Sequence, residues 1–337
     1  MNQNKQIRNV WITAIAIGVS LLSLSFTADI TSDKAGKGDN IVAAEATLNS
    51  NYGGVQIGVI TYSFRSLQGV DETLKACKES GISSIELMGT GIEAYLGAPE
   101  SPLTWRQMRN QENLTKEQKK AYALYQEEIK TWRYAESTME KYVALRKQFN
   151  DAGISIHIYK WQAGKSDEEL DYSFQVARAL GAIGITTEIG EEACRTVGAA
   201  AERAGMLAIF HNHFQYAKED FDVDKLLALS PANRLNFDIG HYYGSTGKDP
   251  VAFIEKYHKQ IASIHLKDKT GKDNETAKNA NQVWGQGETP IKEVLQLIKQ
   301  NQWPIHCDIE LEYKIAPWSN PVKEVSLCRE FCRQILL

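Results

Sequence analysis

Four side chains that could share one divalent cation are spread along the second half of the chain: Glu188, Asp238, His265 and Glu310. Each stands at or near the end of a short β-rich run. In a closed parallel barrel those ends converge on one face, where metal-binding and proton-transferring groups sit. One such glutamate alone would read as an ion-paired surface residue. Four on separate runs make a ligand set. Three carboxylates with one imidazole favour an ion that accepts oxygen ligands: Mn2+ first, with Mg2+, Co2+ or Zn2+ as alternatives to a thiolate zinc site.

Other groups gather near the same ends. His211 and His213 flank Asn212, and period-two alternation turns both to one side. His211 reads equally as a core histidine or a substrate contact, whereas His213, further out, suits substrate binding or proton relay. Lys267 and Asp268 follow His265 as either an exposed salt bridge or, through Lys267, a carbonyl-polarising cation. Lys160 is a comparable candidate, with Trp161 beside it as a flat platform. Glu86 either orients one of these groups or pairs with Arg65. The segment WGQGETP (284–290) reads as a site wall, with Trp284 as its apolar surface.

These positions require strands, and the pattern supplies eight: 55–60, 82–87, 154–159, 183–188, 206–211, 234–239, 261–266 and 304–311. Helical patterns lie between them at 70–80, 137–152, 167–180, 191–204, 222–229, 250–259 and 291–300, and a last one covers 321–335. Strands alternating with helices imply a parallel sheet, since each parallel crossover needs a connection of that size. Eight units in residues 53–337 fit a (β/α)8 TIM barrel. A doubly wound open sheet fits less well, because no Gly-rich phosphate loop follows the first strand. Residues 93–134 interrupt the rhythm as a polar, partly helical insertion after strand 2. It reads as a solvated decoration, a lid or an oligomer contact, with Trp105, Arg106, Trp132 and Arg133 as the residues to test.

Lys5 and Arg8 precede an apolar stretch from Val10 to about Phe26, the order of a secretory signal peptide or an uncleaved anchor over residues 1–28. Residues 29–52 read as a linker. An exported, periplasmic barrel is the expectation, touching the membrane only through that segment. The formal charge is −4 and no long basic run occurs, so a nucleic-acid partner is not expected. Cysteines 77, 194, 307, 328 and 332 lack zinc-site spacing and read as small buried hydrophobes.

The segments FHNH (210–213), NFDIGH (236–241), SIHLKDK (263–269), WGQGETP and DIELEY (308–313) together resemble the xylose isomerase-like TIM-barrel superfamily of sugar isomerases, epimerases and relatives. The resemblance covers roughly Val55 to the C-terminus. It implies that Glu188, Asp238, His265 and Glu310 bind the metal, and that His241 lies beside the metal against substrate. It further casts Glu188 and Glu310 as the acid/base pair, taking and returning a proton through an enediolate that the metal stabilises as a Lewis acid. The expected partner is a small, unphosphorylated carbohydrate, and a homo-oligomer is allowed. The expected activity is isomerisation or epimerisation. The alternatives are a lyase cleaving 3-keto-glycosides by β-elimination, and a non-catalytic sugar-binding barrel, which would normally have lost a ligand.

Overall fold

The computed structural model describes residues 48–161 and 166–337, apart from the side chains of Trp105 and Arg109. Eight parallel strands close into a barrel: β1 (Val55–Ile60), β2 (Ser84–Met88), β3 (Ser155–Lys160), β4 (Gly184–Glu188), β5 (Leu207–His211), β6 (Asn233–Asp238), β7 (Ile261–Leu266) and β8 (His306–Ile309). Each pairs with the next, and β1 pairs with β8 through Ile57↔Cys307 and Val59↔Ile309. The expected signal segment lies outside the described residues. The end of the expected linker is tied to the barrel: Asn51–Tyr52 pairs antiparallel with Val55 and Gln56, and Ser50 Oγ donates to the Ile57 carbonyl at 2.6 Å.

Helices coat the outside and bury one face each against the strands. Asp167–Leu180 shows why they begin and end where they do. Ser166 and Glu169 form a reciprocal capping box at its start, and Gly181 takes a left-handed conformation (φ 79°) at its end. Its apolar face (Leu170, Phe174, Ala177, Leu180) is buried. All five cysteines are free and buried, as apolar fillers of the core. No helix among the described residues is long and apolar enough to cross a membrane.

The insertion after β2 contains the short helix Trp105–Arg109 and the long helix Lys116–Arg133, both opened by Thr/Gln capping boxes. Its far end is fastened to the barrel wall. Arg133 donates to both carboxylate oxygens of Glu93 at 2.8 and 2.7 Å, and Tyr172 donates to the same carboxylate at 3.0 Å. Trp132 packs partly buried against the core, whereas Arg106 is exposed. One helix escaped the sequence pattern. Ile239–Thr246 starts immediately after β6, because Asp238 acts as its N-cap.

Candidate metal and proton-transfer site

The barrel interior is unusually polar toward one end. Inward positions of β2, β4, β6 and β7 are Glu86, Thr186, Asn236 and Ser263, all fully buried. Above them stand His211, Asp238, His265, Lys267 and Glu310.

Asp238 is set by its dual position at the end of a strand and the start of a helix. Its Oδ1 accepts the His241 amide at 2.7 Å, and its own amide donates to Asn212 Oδ1 at 3.0 Å. The helix therefore occupies one carboxylate oxygen and leaves Oδ2 for the site. Oδ2 lies 3.5 Å from His211 Nε2 and 2.9 Å from Lys267 Nζ.

His265 is fully buried between two carboxylates. Its Nε2 is 2.7 Å from Glu86 Oε2, and its Nδ1 is 3.1 Å from Glu310 Oε2. Asn236 donates to the same Glu86 oxygen at 2.8 Å and accepts from Ser263 Oγ at 2.7 Å. Glu86 does not pair with Arg65, whose guanidinium bonds the Tyr62 and Leu311 carbonyls. The bond from Nε2 to Glu86 fixes the ring so that Nδ1 faces the site, which is how carboxylates outside a metal's ligand set orient ligand histidines. Burial alone would favour neutral carboxyls here. The charges of Lys267 and His265 outweigh it and hold Glu310 well below the usual carboxylate range, and those of Lys267 and His241 do the same for Asp238.

The four-residue buried cluster is His211, Asp238, His265 and Glu310, whose ligand atoms all lie within 4.8 Å of one another. Its membership differs from the expected quartet: His211 stands in it and Glu188 does not. Glu188 groups instead with His211 and His213 on the lip of the barrel, where its side chain is 49% exposed. Its Oε1 is 3.1 Å from Lys160 Nζ, and its Oε2 is 3.2 Å from His213 Nδ1. Burial opposes the charge of Glu188, but His211, Lys160 and His213 hold the carboxyl below its ordinary value. A third group, Glu86, His265 and Asp308, is buried deeper in the barrel.

The buried cluster fits a divalent ion. His211 Nε2 is buried without an aligned hydrogen-bond partner, 3.5 Å from Asp238 Oδ2, whose closest partner is the Lys267 ammonium. Buried polar atoms are rarely left so, and an ion supplies the missing partner. Two imidazoles and two carboxylates form a borderline donor set suited to Zn2+, Mn2+ or Co2+.

The remaining candidates divide. His213 has a half-exposed ring, with its titration held below the ordinary value by burial. His241 lies inside, 2.9 Å from Lys267 Nζ, and burial together with Lys267 pushes it down to about 4. Lys267 and Asp268 are not an exposed salt bridge. Both are buried, and Lys267 points into the cluster. Trp161 stacks on Tyr159 at 5.8 Å rather than over the buried cluster. Trp284, read as a site wall, is partly buried against the core and meets Phe331 edge-on at 5.9 Å.

The loop that carries Trp284 is wound around Asp268. The Gly285 and Gly287 amides donate to Asp268 Oδ2 at 2.8 and 2.9 Å, and the Thr289 amide to Oδ1 at 3.3 Å. A Cβ on Gly287 would fall 2.1 Å from Asp268 Oδ1. Gly287→Ala is therefore expected to destabilise the protein by about 1–3 kcal/mol, as overpacking does. Denaturant unfolding checks this, and an unchanged midpoint would contradict the tight approach.

The sequence pattern flagged Glu86 but passed over Asn236, Ser263, Asn212 and Glu312. A signal for three of them was present. Asn236 lies two residues before Asp238, Ser263 two before His265, and Glu312 two after Glu310, so each shares an inward face with a flagged residue. Glu86→Gln is expected to weaken Zn2+ or Mn2+ binding by about 10- to 100-fold without unfolding the barrel. Calorimetric titration of metal-stripped protein measures this, and wild-type affinity would remove Glu86 from the support of His265.

No family model matches the chain. A curated inosose dehydratase from Clostridium beijerinckii is 36% identical over 75 residues, which cover 21% of this chain and 25% of that protein. The chain thus matches about a quarter of the length of that relative. Among solved structures, a xylose isomerase domain protein from Alicyclobacillus acidocaldarius superposes with a TM-score of 0.58 at 12% identity. That match covers 83% of this chain and 98% of the other. The IOLI protein, solved with a zinc atom bound, gives a TM-score of 0.55 at 11% identity, covering 84% of this chain and 98% of that one. What the chain shares with these structures is the (β/α)8 barrel fold.

Proposed function

We propose that this chain, built on the xylose isomerase-like barrel, is a metal-dependent carbon–oxygen lyase that acts on a keto sugar by β-elimination, a 3-keto-glycoside in the first instance. The carrying observation is the composition of the buried cluster. An epimerase of the expected kind sets two metal-bound glutamates against each other, whereas the buried cluster that could hold an ion contains one glutamate with His211, and Glu188 groups with His211 and His213 at the lip. Elimination does not need matched carboxylates on opposite faces. One group that removes a proton and can deliver it to a departing oxygen is enough. The inosose dehydratase match, a water-removing enzyme by name, supports the same class.

His211, Asp238, His265 and Glu310 would hold the ion, Zn2+ or Mn2+. When bound, it supplies Lewis acidity to a substrate carbonyl oxygen. Of the clustered histidines, His213 has the exposed ring, and its Nδ1 faces Glu188 at 3.2 Å. With Nδ1–H turned to that carboxylate, Nε2 is the free base. It takes the proton from the carbon next to the ketone. The electrons of that C–H bond form a carbon–carbon double bond, and the bond from the β-carbon to the glycosidic oxygen breaks. His213 then returns the proton to the departing oxygen, so no oxidant or reductant is required. Lys160 keeps Glu188 ionised and in place beside His213.

The same proposal places the enzyme outside the inner membrane, behind the segment 1–28, which cell fractionation against a periplasmic marker tests. For the reaction, a 3-keto-glucoside and a panel of ketohexoses are incubated with protein loaded with Mn2+ or Zn2+. Elimination predicts a free aglycone alcohol and an unsaturated keto sugar by NMR. Conversion of ketohexoses alone would replace the lyase reading with isomerisation or epimerisation, and inertness toward both would remove both.

A further inference from the structure

The buried cluster already contains a cation of its own. Lys267 is 1% exposed, and its ammonium lies 2.9 Å from Asp238 Oδ2, 2.9 Å from Glu310 Oε2 and 2.8 Å from Glu312 Oε2. The first two are the oxygens nearest His211 Nε2 and His265 Nδ1, and so the ones that an ion in the cluster would take. The close approach is built into the backbone. A Cβ on Gly240 would meet the Lys267 carbonyl at 2.7 Å and its Cβ at 2.9 Å, so Gly240 is what lets the segment just after β7 lie against the Asp238 helix.

We propose that Lys267 is an intramolecular competitor for the metal. Its ammonium bridges Asp238 and Glu310 while the cluster is metal-free, and shifts onto Glu312 and His241 when the ion binds. This rests on the reading that His211, Asp238, His265 and Glu310 hold the ion.

Charge and geometry support the exchange. Asp238, Glu310 and Glu312 crowd three carboxylates around the one ammonium, so an incoming divalent ion can take two of them and leave the ammonium the third. An ion bound through Asp238 Oδ2 and Glu310 Oε2 would meet the ammonium across those same two oxygens, where like charges repel strongly in a buried setting. The alternative berth is already in contact. Glu312 Oε2 is at 2.8 Å and His241 Nε2 at 2.9 Å, and Asn281 Nδ2 donates to the same Glu312 oxygen at 3.5 Å. Glu312 lies toward the rim with its side chain 22% exposed, so the ammonium placed there reaches the substrate side of the cluster.

The two partners of the exchange predict opposite changes in metal affinity. Lys267→Met removes the competitor and is expected to tighten Zn2+ and Mn2+ binding to metal-stripped protein at least 10-fold. Its melting temperature should be low without metal and recover when metal is added. Glu312→Gln removes the berth, leaves the competitor between Asp238 and Glu310, and is expected to weaken binding at least 5-fold. Glu312 is near the surface, so this variant decides the matter even if metal-free Lys267→Met does not fold. Calorimetric titration of each protein with each metal gives the affinities. If Glu312→Gln binds as wild type does, or Lys267→Met binds no tighter, the competition is overturned while the metal site stands. If neither wild type nor Lys267→Met binds either ion, the metal reading itself falls and takes the competition with it.

Discussion

Glu310→Gln is expected to lower turnover of the keto-glycoside by on the order of 1,000-fold while leaving the barrel folded. Glu310 is a carboxylate of the buried cluster, and its Oε2 touches both His265 and Lys267. The amide keeps the shape but removes the charge, weakening the hold on a Lewis-acidic ion whose charge stabilisation contributes several kcal/mol to such reactions. The fold should survive, because Lys267 keeps Asp238 and Glu312 as partners. Steady-state kinetics at saturating metal, with a melting curve on the same sample, reads both outcomes. Activity near that of wild type would take Glu310 out of the mechanism.

The second large effect separates two residues that sit side by side. Glu188 and His211 are register partners on β4 and β5, yet only His211 belongs to the buried four. His211→Ala should weaken metal binding by about 100-fold or more, because it removes a direct ligand, and losing even an outer-shell partner typically costs 10- to 100-fold. Glu188→Gln should leave affinity within about 3-fold of wild type, a smaller loss than that of even an outer-shell partner. It should nevertheless lower turnover by about 100-fold or more, as happens when an acid/base histidine loses its orienting carboxylate. Metal titration and kinetics on the two variants form one comparison. A loss of metal in Glu188→Gln with retention in His211→Ala would restore the arrangement first expected from the sequence.

The expected quartet and the buried cluster differ at one position for a geometric reason. Glu188 and His211 both close their strands at the same height, and a carboxylate is the more familiar oxygen ligand. Nothing in a period-two pattern tells which of two neighbouring strand ends turns over the barrel axis and which leans out to the lip. Asp238, His265 and Glu310 were legible because each follows apolar strand residues and points inward. The strands themselves were legible for the same reason, and helices such as Asp167–Leu180 through their caps. The helix Ile239–Thr246 was hidden because Asp238 serves at once as strand end, N-cap and cluster member. The contact of Trp284 with Phe331 was not legible, because the loop glycines look like room for a ligand, whereas the space at Gly287 is filled by the Asp268 carboxylate. Lys267 read equally as half of an exposed salt bridge with Asp268 or as a carbonyl-polarising cation. Its burial depends on three carboxylates from two other strand ends, which no local pattern reveals.

Crystals soaked in Mn2+ or Zn2+ and measured at the absorption edge of the metal test the account at its centre. One anomalous peak is expected within about 2.0–2.3 Å of His211 Nε2, Asp238 Oδ2, His265 Nδ1 and Glu310 Oε2, with Glu188 outside the coordination shell. A peak bound by Glu188 with His211 left free would contradict it, and so would an ion held anywhere else in the barrel.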